Sequence, residues 1–279
     1  MKDVFVKLRF LFPTLPRAEK TAAKFLLDNP DSVRSTTLSL LASEVKCSEA
    51  SVIRLCRRLG FDGFLSLKQA IMVALVDRTP VISQEILSSD SIASIMSKLI
   101  NDTTQILRDT MALVTKDYEL ALEALLAARS CHFFGIGDAF AVAQLAHMKF
   151  KRLGLDGSAQ SDVLMQSVTA SSLSSGDIAF GISFSGASAT TVQAIRLAKE
   201  AGATTICITQ MNKSPLIKYT DISLFTATAD LTAGKDIISR RVADQAIIDA
   251  LYLAFLTKTE KTSAPFIRKT QKAIDINKL

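Results

Sequence analysis

The stretch Ile178-Ala-Phe-Gly-Ile-Ser-Phe-Ser-Gly-Ala-Ser188 joins a short apolar run to a turn of serine and glycine residues. The run has the length of a buried strand, and a helical stretch, residues 188–201, follows the turn. The same order recurs at Phe133-Phe-Gly-Ile-Gly-Asp-Ala-Phe140, which precedes a helical stretch at residues 140–153. Further apolar runs lie at residues 205–209 and 222–225, another strand is expected around residues 155–160, and a last helix is expected at 239–258. Strands that alternate with helices predict a doubly wound parallel sheet.

Both turns are predicted to lie where ligands bind. In an open parallel sheet, ligands bind at the carboxyl ends of the strands, and a helix N-terminus offers unpaired N–H groups that suit a phosphate. The candidate binding residues are the hydroxyl donors Ser183, Ser185 and Ser188 and the glycines Gly137 and Gly186. Gly186 lets the backbone come close to the ligand. A single Gly-x-Gly also occurs in dinucleotide sites, and such serines can simply cap a helix. Spacing alone leaves these alternatives open.

The first part of the chain, by contrast, has helical periodicity throughout. Helices are expected at residues 17–29, 37–45 and 48–59 and from residue 64 to about residue 77. Ser48 is a good N-cap for the third of these helices, and Gly60 is a good C-terminal stop. A short helix, a tight turn at Lys46-Cys47-Ser48 and a second helix form the layout of a helix-turn-helix, whose second helix enters the major groove of DNA.

The second helix of this pair has two different faces. On a helical wheel, one arc carries the apolar residues Val52, Leu55, Cys56 and Leu59. The opposite arc carries small residues and three arginines without an acid: Ala50, Ser51, Arg54, Arg57 and Arg58. Because arginine donates hydrogen bonds in a fork that matches guanine or phosphate, we expect Ser51 and Arg54 at base edges or nearby phosphates. Arg57 and Arg58 are expected at phosphates, while Ser48 caps the helix. The alternative is a surface helix with solvated arginines.

Composition narrows the class of protein. The 279 residues are 48% hydrophobic, which suits two folded domains, and no run of about 18 apolar residues predicts a membrane span. The N-terminus mixes charges into its apolar residues, unlike a signal peptide, and the four cysteines show neither metal-ligand nor paired spacing. Residues 1–78 carry 13 basic against 8 acidic residues, which suits either contact with a phosphate backbone or a solvated surface. We expect a cytoplasmic protein without a metal or another cofactor.

Residues 1–78 resemble the DNA-binding domain of RpiR-type transcriptional regulators. The resemblance rests on Leu15-Pro-Arg-Ala-Glu19, Leu41-Ala42, Ser48-Glu-Ala-Ser-Val-Ile-Arg54 and Arg58-Leu-Gly-Phe-Asp-Gly-Phe64. Residues 117–256 resemble a sugar isomerase (SIS) domain, on stretches that include Phe134-Gly-Ile-Gly137, Lys151-Arg-Leu-Gly154, Ser183-Phe-Ser-Gly186, Ala198-Lys-Glu-Ala-Gly202 and Ser214-Pro-Leu216. This order of domains is the RpiR arrangement. It implies a helix-turn-helix domain at 1–78, a linker and connecting helix at 79–116, a flavodoxin-like SIS domain at 117–258 and a basic tail at 259–279.

The resemblance also implies a ligand and its site. SIS domains of such regulators bind phosphorylated sugars, which places Ser183, Ser185 and Ser188 around the phosphate. In the same way, Ser239 is expected to open the last helix near this pocket.

One turn departs from the family pattern. Asp138 and Ala139 stand where the family usually has Ala or Thr followed by Ser, so a hydroxyl group is lost. Because a carboxylate would repel a phosphate, Asp138 is expected to cap the following helix or to bind sugar hydroxyls or an amino group. A second departure is Ala187, where many SIS domains carry Glu.

These features predict a regulator rather than an enzyme. SIS domains also occur in isomerases, whose proton transfers need a placed acid or base, whereas both histidines, His132 and His147, lie in apolar segments. We expect a DNA-binding transcriptional regulator of carbohydrate metabolism whose binding to double-stranded operator DNA responds to a phosphosugar. The alternatives are a DNA-binding regulator with a ligand-free SIS dimerisation domain and a phosphosugar isomerase. Because two half-sites require a dimer or tetramer, the helices at 92–114 and 239–258 are candidate interface elements.

Overall fold

The structure is a computed structural model that describes residues 4–34, 36–76, 86–211, 214–227 and 238–276. Its backbone contacts divide the chain into two units. The first unit holds the described residues up to Leu113 together with Ala227, and the second holds those from Val114 to Thr226 and from Ile238 onward. Among the described residues, no helix combines the length and the apolar content that crossing a membrane requires.

The first unit is helical, as predicted. Its helices are α1 (Val4–Leu11), α2 (Arg17–Asp28), α3 (Leu38–Glu44), α4 (Glu49–Arg58), α5 (Phe64–Val76) and α6 (Ile92–Met111). The five helices α1 through α5 share one apolar core, in which Phe5, Leu26, Leu55 and Leu67 are fully buried. Part of the predicted linker, residues 79–85, lies outside the described residues.

Helices α3 and α4 begin where hydroxyl side chains cap them. Thr37 Oγ1 accepts a hydrogen bond from the backbone N–H of Leu40 (3.3 Å), and Ser48 Oγ accepts one from the N–H of Ser51 (3.2 Å). Lys46, in the turn between the two helices, has a φ of +52°. The predicted pair of short helices and its tight turn are therefore present.

Helix α1 lies where no element was predicted. Val4, Phe5 and Leu8 are buried in the core, and Arg9 forms a buried ion pair with Asp109 of α6. Arg9 is charged although it is buried, because Asp109 neutralises it. A charged residue at a buried position breaks the apolar pattern by which a packed helix is predicted from sequence.

The second unit contains a five-stranded parallel sheet in the order β2-β1-β3-β4-β5. The strands are β1 (Ser130–Phe134), β2 (Asp156–Ala159), β3 (Asp177–Ile182), β4 (Thr204–Gln210) and β5 (Ile222–Thr226). The helices are α7 (Asp117–Ala127), α8 (Asp138–Arg152), α9 (Val163–Ser171), α10 (Ala189–Glu200) and α11 (Ile238–Asp275). Residues of α7, α8 and α11 pack on one face, and residues of α9 and α10 pack on the other. This is the flavodoxin-like order, and the prediction of a doubly wound sheet is confirmed.

Helix α9 was not predicted, although Asp162 caps it by accepting a hydrogen bond from the N–H of Met165 (2.8 Å). Its exposed side carries apolar residues, among them Leu164 and Val168, while Gln166 is buried. Because the polar residue lies inside and the apolar residues lie outside, the sequence of this helix lacks the usual amphipathic pattern.

The prediction of a basic tail at residues 259–279 is wrong for most of its length. Helix α11 continues to Asp275, with a single non-helical residue at Thr259. Ser263 is buried and donates a hydrogen bond to the carbonyl oxygen of Leu153 (3.0 Å), and Ile267 packs against the core of the sheet. These contacts hold the segment on α8 although its composition is basic.

Candidate functional sites

The N-terminal turn of α4 differs from the prediction at one residue, Ser51. It was assigned to the exposed arc, but its exposed fraction is only 3%. Ser51 lies one helical turn before Leu55 and therefore on the same side of α4. Its hydroxyl is hydrogen bonded to Ser48 Oγ (2.9 Å) and accepts a bond from Arg54 Nη2 (2.8 Å). Ser51 thus faces the protein and holds Arg54.

The three arginines of α4 do not form one uniform surface. The side chains of Arg54 and Arg58 are 57% and 52% exposed, and both reach back to the buried carboxylate of Glu19 in α2. Arg57 has no hydrogen-bonding or ionic partner among the residues that the structure describes. The structure therefore brings Ser48, Ser51, Arg54 and Arg58 into one cluster and leaves Arg57 apart.

Glu19 was not predicted as a functional residue from the sequence, although the pattern of α2 contained evidence for it. It occupies the face of α2 that also carries Ala22, Ala23 and Leu26, all of which are buried. An acid at a core position of an amphipathic helix requires a buried partner. The arginines that neutralise it are those assigned to DNA from their exposure on the wheel.

The second candidate site lies at the carboxyl edge of the sheet. β1 and β3 are neighbours, with Phe134 opposite Gly181, so the turns that follow these two strands lie side by side. Gly137, with a φ of +57°, precedes the first residue of α8. The structure thus brings Gly137 and Asp138 to the same edge as the serine turn that follows β3.

The turn after β3 leaves the start of α10 open. The Gly186 N–H donates to the carbonyl of Ser183 (3.1 Å), and the Ala187 N–H donates to Ser185 Oγ (3.2 Å). Ser188 is the N-cap residue, but its side chain makes no capping bond to the helix and instead accepts a bond from Thr191 Oγ1 (3.2 Å). The first N–H groups of α10 therefore lack a side-chain acceptor, which is the arrangement that binds anions.

Asp138 does not cap α8. The helix has no capping side-chain bond, and the Asp138 carboxylate, 66% exposed, lies 3.8 Å from Arg241 Nε in the first turns of α11. Of the roles expected for Asp138, capping is excluded, and contact with a ligand stays a prediction. The side chain of Ser239, the other residue predicted at this edge, lies outside the described residues.

Two buried polar groups near this edge were not predicted. Gln166 of α9 donates from Nε2 to the carbonyls of Gly135 and Gln160 (both 2.9 Å), which ties the turn after β1 to the loop after β2. Its Oε1 and the hydroxyl of Ser214 are buried without a hydrogen-bond partner. Buried polar atoms of this kind call for a water or ligand donor.

Both histidines lie away from the carboxyl edge. His132 is hydrogen bonded through Nε2 to Ser130 and through Nδ1 to Ser158 (both 2.9 Å), in the middle of β1. Burial lowers the pKa of His132, although Asp177 and Asp156 oppose this shift, and burial also lowers the pKa of His147. In the part of the chain that is described, no group of His, Cys, Asp and Glu side chains could hold a metal ion.

Comparison with known proteins matches each of the two units to a known domain family. Residues 4–77 match the family described as helix-turn-helix domain, rpiR family, and residues 124–254 match the SIS domain. An HTH-type transcriptional regulator of Caldanaerobacter subterraneus is 34% identical over 280 residues, covering 100% of this chain and 99% of the relative. The chain belongs to the RpiR family. It is an RpiR-family transcriptional regulator with a helix-turn-helix region and an SIS domain.

Two further proteins match over nearly the whole chain. The regulator HexR of Pseudomonas aeruginosa is 28% identical, covering 98% of this chain and 96% of HexR. Among solved structures, Vibrio vulnificus NanR complexed with ManNAc-6P has a TM-score of 0.60 at 24% identity and covers 97% of both chains. At this identity the likeness to NanR shows the fold.

Proposed function

We propose that this regulator binds double-stranded operator DNA through α4 and that a phosphorylated sugar, bound at the carboxyl edge of the sheet, changes its affinity for DNA. The proposal of phosphosugar binding rests on the open N-terminus of α10, which follows the turn at residues 183–188. The DNA half rests on the helix-turn-helix of α3 and α4, whose second helix exposes three arginines.

In the DNA complex, α4 lies in the major groove. Arg54 and Arg58 reach DNA with the outer ends of their guanidinium groups, because the inner edges face Glu19. Arg57, unpaired among described residues, binds a phosphate. Ser51 acts through Arg54, since its hydroxyl is buried and accepts the Arg54 bond.

In the ligand complex, the phosphate lies at the start of α10. Ser183 and Ser185 donate to it, Ser188 and the first N–H groups of α10 complete the site, and Gly186 lets the backbone approach. Asp138 and Arg241 face the sugar rather than the phosphate, because a carboxylate beside the phosphate would repel it. NanR was solved with ManNAc-6P, which supports a phosphosugar as the class of ligand.

Regulation follows from a shift between two arrangements of a homo-oligomer. A ligand can shift DNA affinity only when it binds one arrangement more tightly than the other. Helix α6 offers a surface for self-association, since Ile92, Met96 and Ile100 recur at four-residue intervals and are all exposed. Such a stripe is suited to a two-fold helix pair, which would also match two half-sites.

We further propose that this regulator has no isomerase activity. Proton transfer in an isomerase needs an acid or base beside the bound sugar. Among the described residues, His132 is hydrogen bonded in the middle of β1, away from the edge where the ligand is proposed to bind. The Asp138 carboxylate at that edge lies 3.8 Å from Arg241 Nε and is proposed to bind the sugar rather than to transfer a proton. Turnover of a phosphosugar by the purified protein would contradict this proposal.

The test is a DNA-binding titration on the region upstream of the protein's own gene, with and without a panel of sugar phosphates. One member of the panel is expected to change the Kd for DNA at least about fivefold, the lower range of allosteric coupling. The same compound is expected to raise the melting temperature, because a ligand that binds only the folded state stabilises it. Ser183→Ala should abolish both responses, whereas Ser171→Ala, at an exposed position at the end of α9, should keep them. A protein that binds DNA but responds to no phosphosugar would leave the SIS domain as a ligand-free dimerisation domain.

A further inference from the structure

The carboxylate of Glu19 lies directly beneath the arginine-bearing face of α4. Its side chain is 3% exposed and belongs to the core-facing side of α2. A carboxylate in such a place requires a counter-charge, since an unpaired buried charge is strongly unfavourable. Among the described residues, the basic groups within ion-pair distance of Glu19 are Arg54 and Arg58. The charge of a core residue is thus balanced by two side chains of the candidate recognition helix.

Each arginine turns its inner edge toward the protein. Arg58 Nε lies 2.7 Å from Glu19 Oε2, although the N–H direction does not meet hydrogen-bond geometry, so this contact is ionic. Arg54 Nε lies 3.6 Å from Glu19 Oε1, and Arg54 Nη2 donates to Ser51 Oγ (2.8 Å). Both side chains remain about half exposed. The outer ends of the two guanidinium groups are therefore held in place while they are still open to a ligand.

We propose that Glu19 is a positioning residue for sequence-specific DNA binding, because it fixes the orientation in which Arg54 and Arg58 meet DNA. This inference rests on the proposed binding of DNA by α4. A side chain that is ordered before binding loses less conformational entropy on binding, and the planar fork of arginine gives direction to its contacts. Arg57 contributes charge without such a constraint.

Charge alone predicts the opposite effect of Glu19. Its negative charge lies beside the arginines, and removing it strengthens binding to any DNA if only electrostatic attraction to phosphates matters. Positioning predicts instead that specific binding weakens when this charge is removed, while binding to random DNA stays equal or becomes stronger. The two explanations therefore differ in sign for the specific sequence.

The experiment compares full-length wild type with Glu19→Gln, which keeps the side-chain size. The matched control is Glu44→Gln, an exposed acid at the end of α3 that removes one charge from the same unit. The probes are a duplex selected by wild type from a random library and a random-sequence duplex of equal length. We expect Glu19→Gln to weaken binding to the selected duplex about tenfold, the scale of one oriented arginine contact, and not to weaken binding to the random one. Glu44→Gln should leave the ratio of the two Kd values unchanged.

The possible outcomes separate this inference from the proposal beneath it. If Glu19→Gln strengthens binding to both duplexes equally, as charge alone predicts, the positioning role is overturned and DNA binding by α4 is left intact. Equal weakening of both, together with a lower melting temperature, would make Glu19 purely structural and overturn it as well. If wild type selects no sequence, the proposed DNA binding fails, and the inference fails with it.

A second pair of variants covers the case in which Glu19→Gln does not fold. Arg54→Lys and Arg58→Lys keep the positive charge but lose the fork that Glu19 orients. For both variants we expect the salt dependence of binding to stay close to that of wild type, since the number of phosphate charges neutralised is the same. The preference for the selected duplex should fall severalfold. An unchanged preference in both variants would contradict the proposal.

Discussion

Gly186 lies where the turn after β3 passes the end of β4, and its backbone has a φ of +61°. A Cβ atom at this position would lie 2.6 Å from Ser214 Cβ and 3.0 Å from Thr209 Oγ1. Rotation of the Ser214 hydroxyl cannot relieve the first contact, because it involves the Cβ itself. A glycine is therefore required twice here, by the backbone conformation and by the close approach of the neighbouring loop.

Gly186→Ala is expected to destabilise the second unit and to weaken phosphosugar binding. The positive φ costs about 1–2 kcal/mol for a residue with a Cβ, and the crowding against Ser214 adds about 1–3 kcal/mol. Unfolding in urea can be followed by tyrosine fluorescence, which reports on this unit alone: the chain has three tyrosines, Tyr118, Tyr219 and Tyr252, and no tryptophan.

The control for this substitution is Gly176→Ala. Gly176 has a φ of +89°, but a Cβ there would meet no atom within 4 Å. This variant therefore measures the conformational penalty without crowding. If the two variants lose the same free energy of unfolding, the close packing of the turn against Ser214 is not what requires Gly186.

At the scale of the elements, the sequence predicts the helices and strands whose apolar residues are the ones that the fold buries. The strands β3 and β4 are buried on both faces along their central residues, and the caps at Thr37 and Ser48 mark the starts of α3 and α4. Three features escaped prediction for physical reasons: Arg9 of α1 is charged yet buried in a pair, α9 exposes its apolar residues, and α11 is basic yet packed. In each case long-range contacts, which no local pattern contains, determine the structure.

The packed C-terminal part of α11 gives a prediction at this scale. Ending the chain after Lys258 removes Ser263, which donates to the carbonyl of Leu153, and Phe266, whose ring covers Gly154. Loss of the Ser263 hydrogen bond costs about 1 kcal/mol, and loss of the half-exposed Phe266 ring from its contact with Gly154 costs about 1 kcal/mol. We expect the free energy of unfolding of the second unit to fall by about 2 kcal/mol in urea titrations. A chain ended after Asp275 should match wild type, whereas equal stability of both truncated chains would restore the original prediction of a tail.

At the scale of the whole molecule, a polar chain runs across three strands of the sheet on the side remote from the ligand edge. Ser158 of β2 is bonded to His132 of β1, which is bonded to Ser130, and Ser130 donates to Asp177 of β3 (2.7 Å). Because Ser130 donates to the carboxylate, its oxygen accepts a hydrogen bond from His132 Nε2–H. Burial lowers the pKa of His132, which favours the neutral imidazole, and in that form Nδ1 accepts a hydrogen bond from Ser158.

From these buried titratable groups we predict that acid destabilises the second unit in two steps. Burial lowers the pKa of His132 and of His147 in the fold, so as the pH falls below about 6.5 the unfolded chain takes up protons first and stability is lost down to the lowered pKa values. The second step comes from Asp177. Burial raises its pKa, but hydrogen bonds from Arg129, Ser130 and the Ser174 N–H outweigh burial and lower the pKa to about 2. Its contribution is complete above pH 3.8 and is lost as the pH falls from there toward 2.

Urea unfolding followed by tyrosine fluorescence from pH 8 to pH 3 tests both steps. Stability should be level near neutral pH, decline below 6.5 and decline again below about 4, with each proton taken up on unfolding adding at most about 1.4 kcal/mol per pH unit. His132→Gln should reduce the first decline, because an amide does not titrate, and should leave the second decline in place. Asp177→Asn should remove part of the second decline and lower stability at neutral pH, since Arg129 loses its partner. Wild-type stability that stays level down to pH 5 would contradict the neutral, buried His132 on which the first step depends.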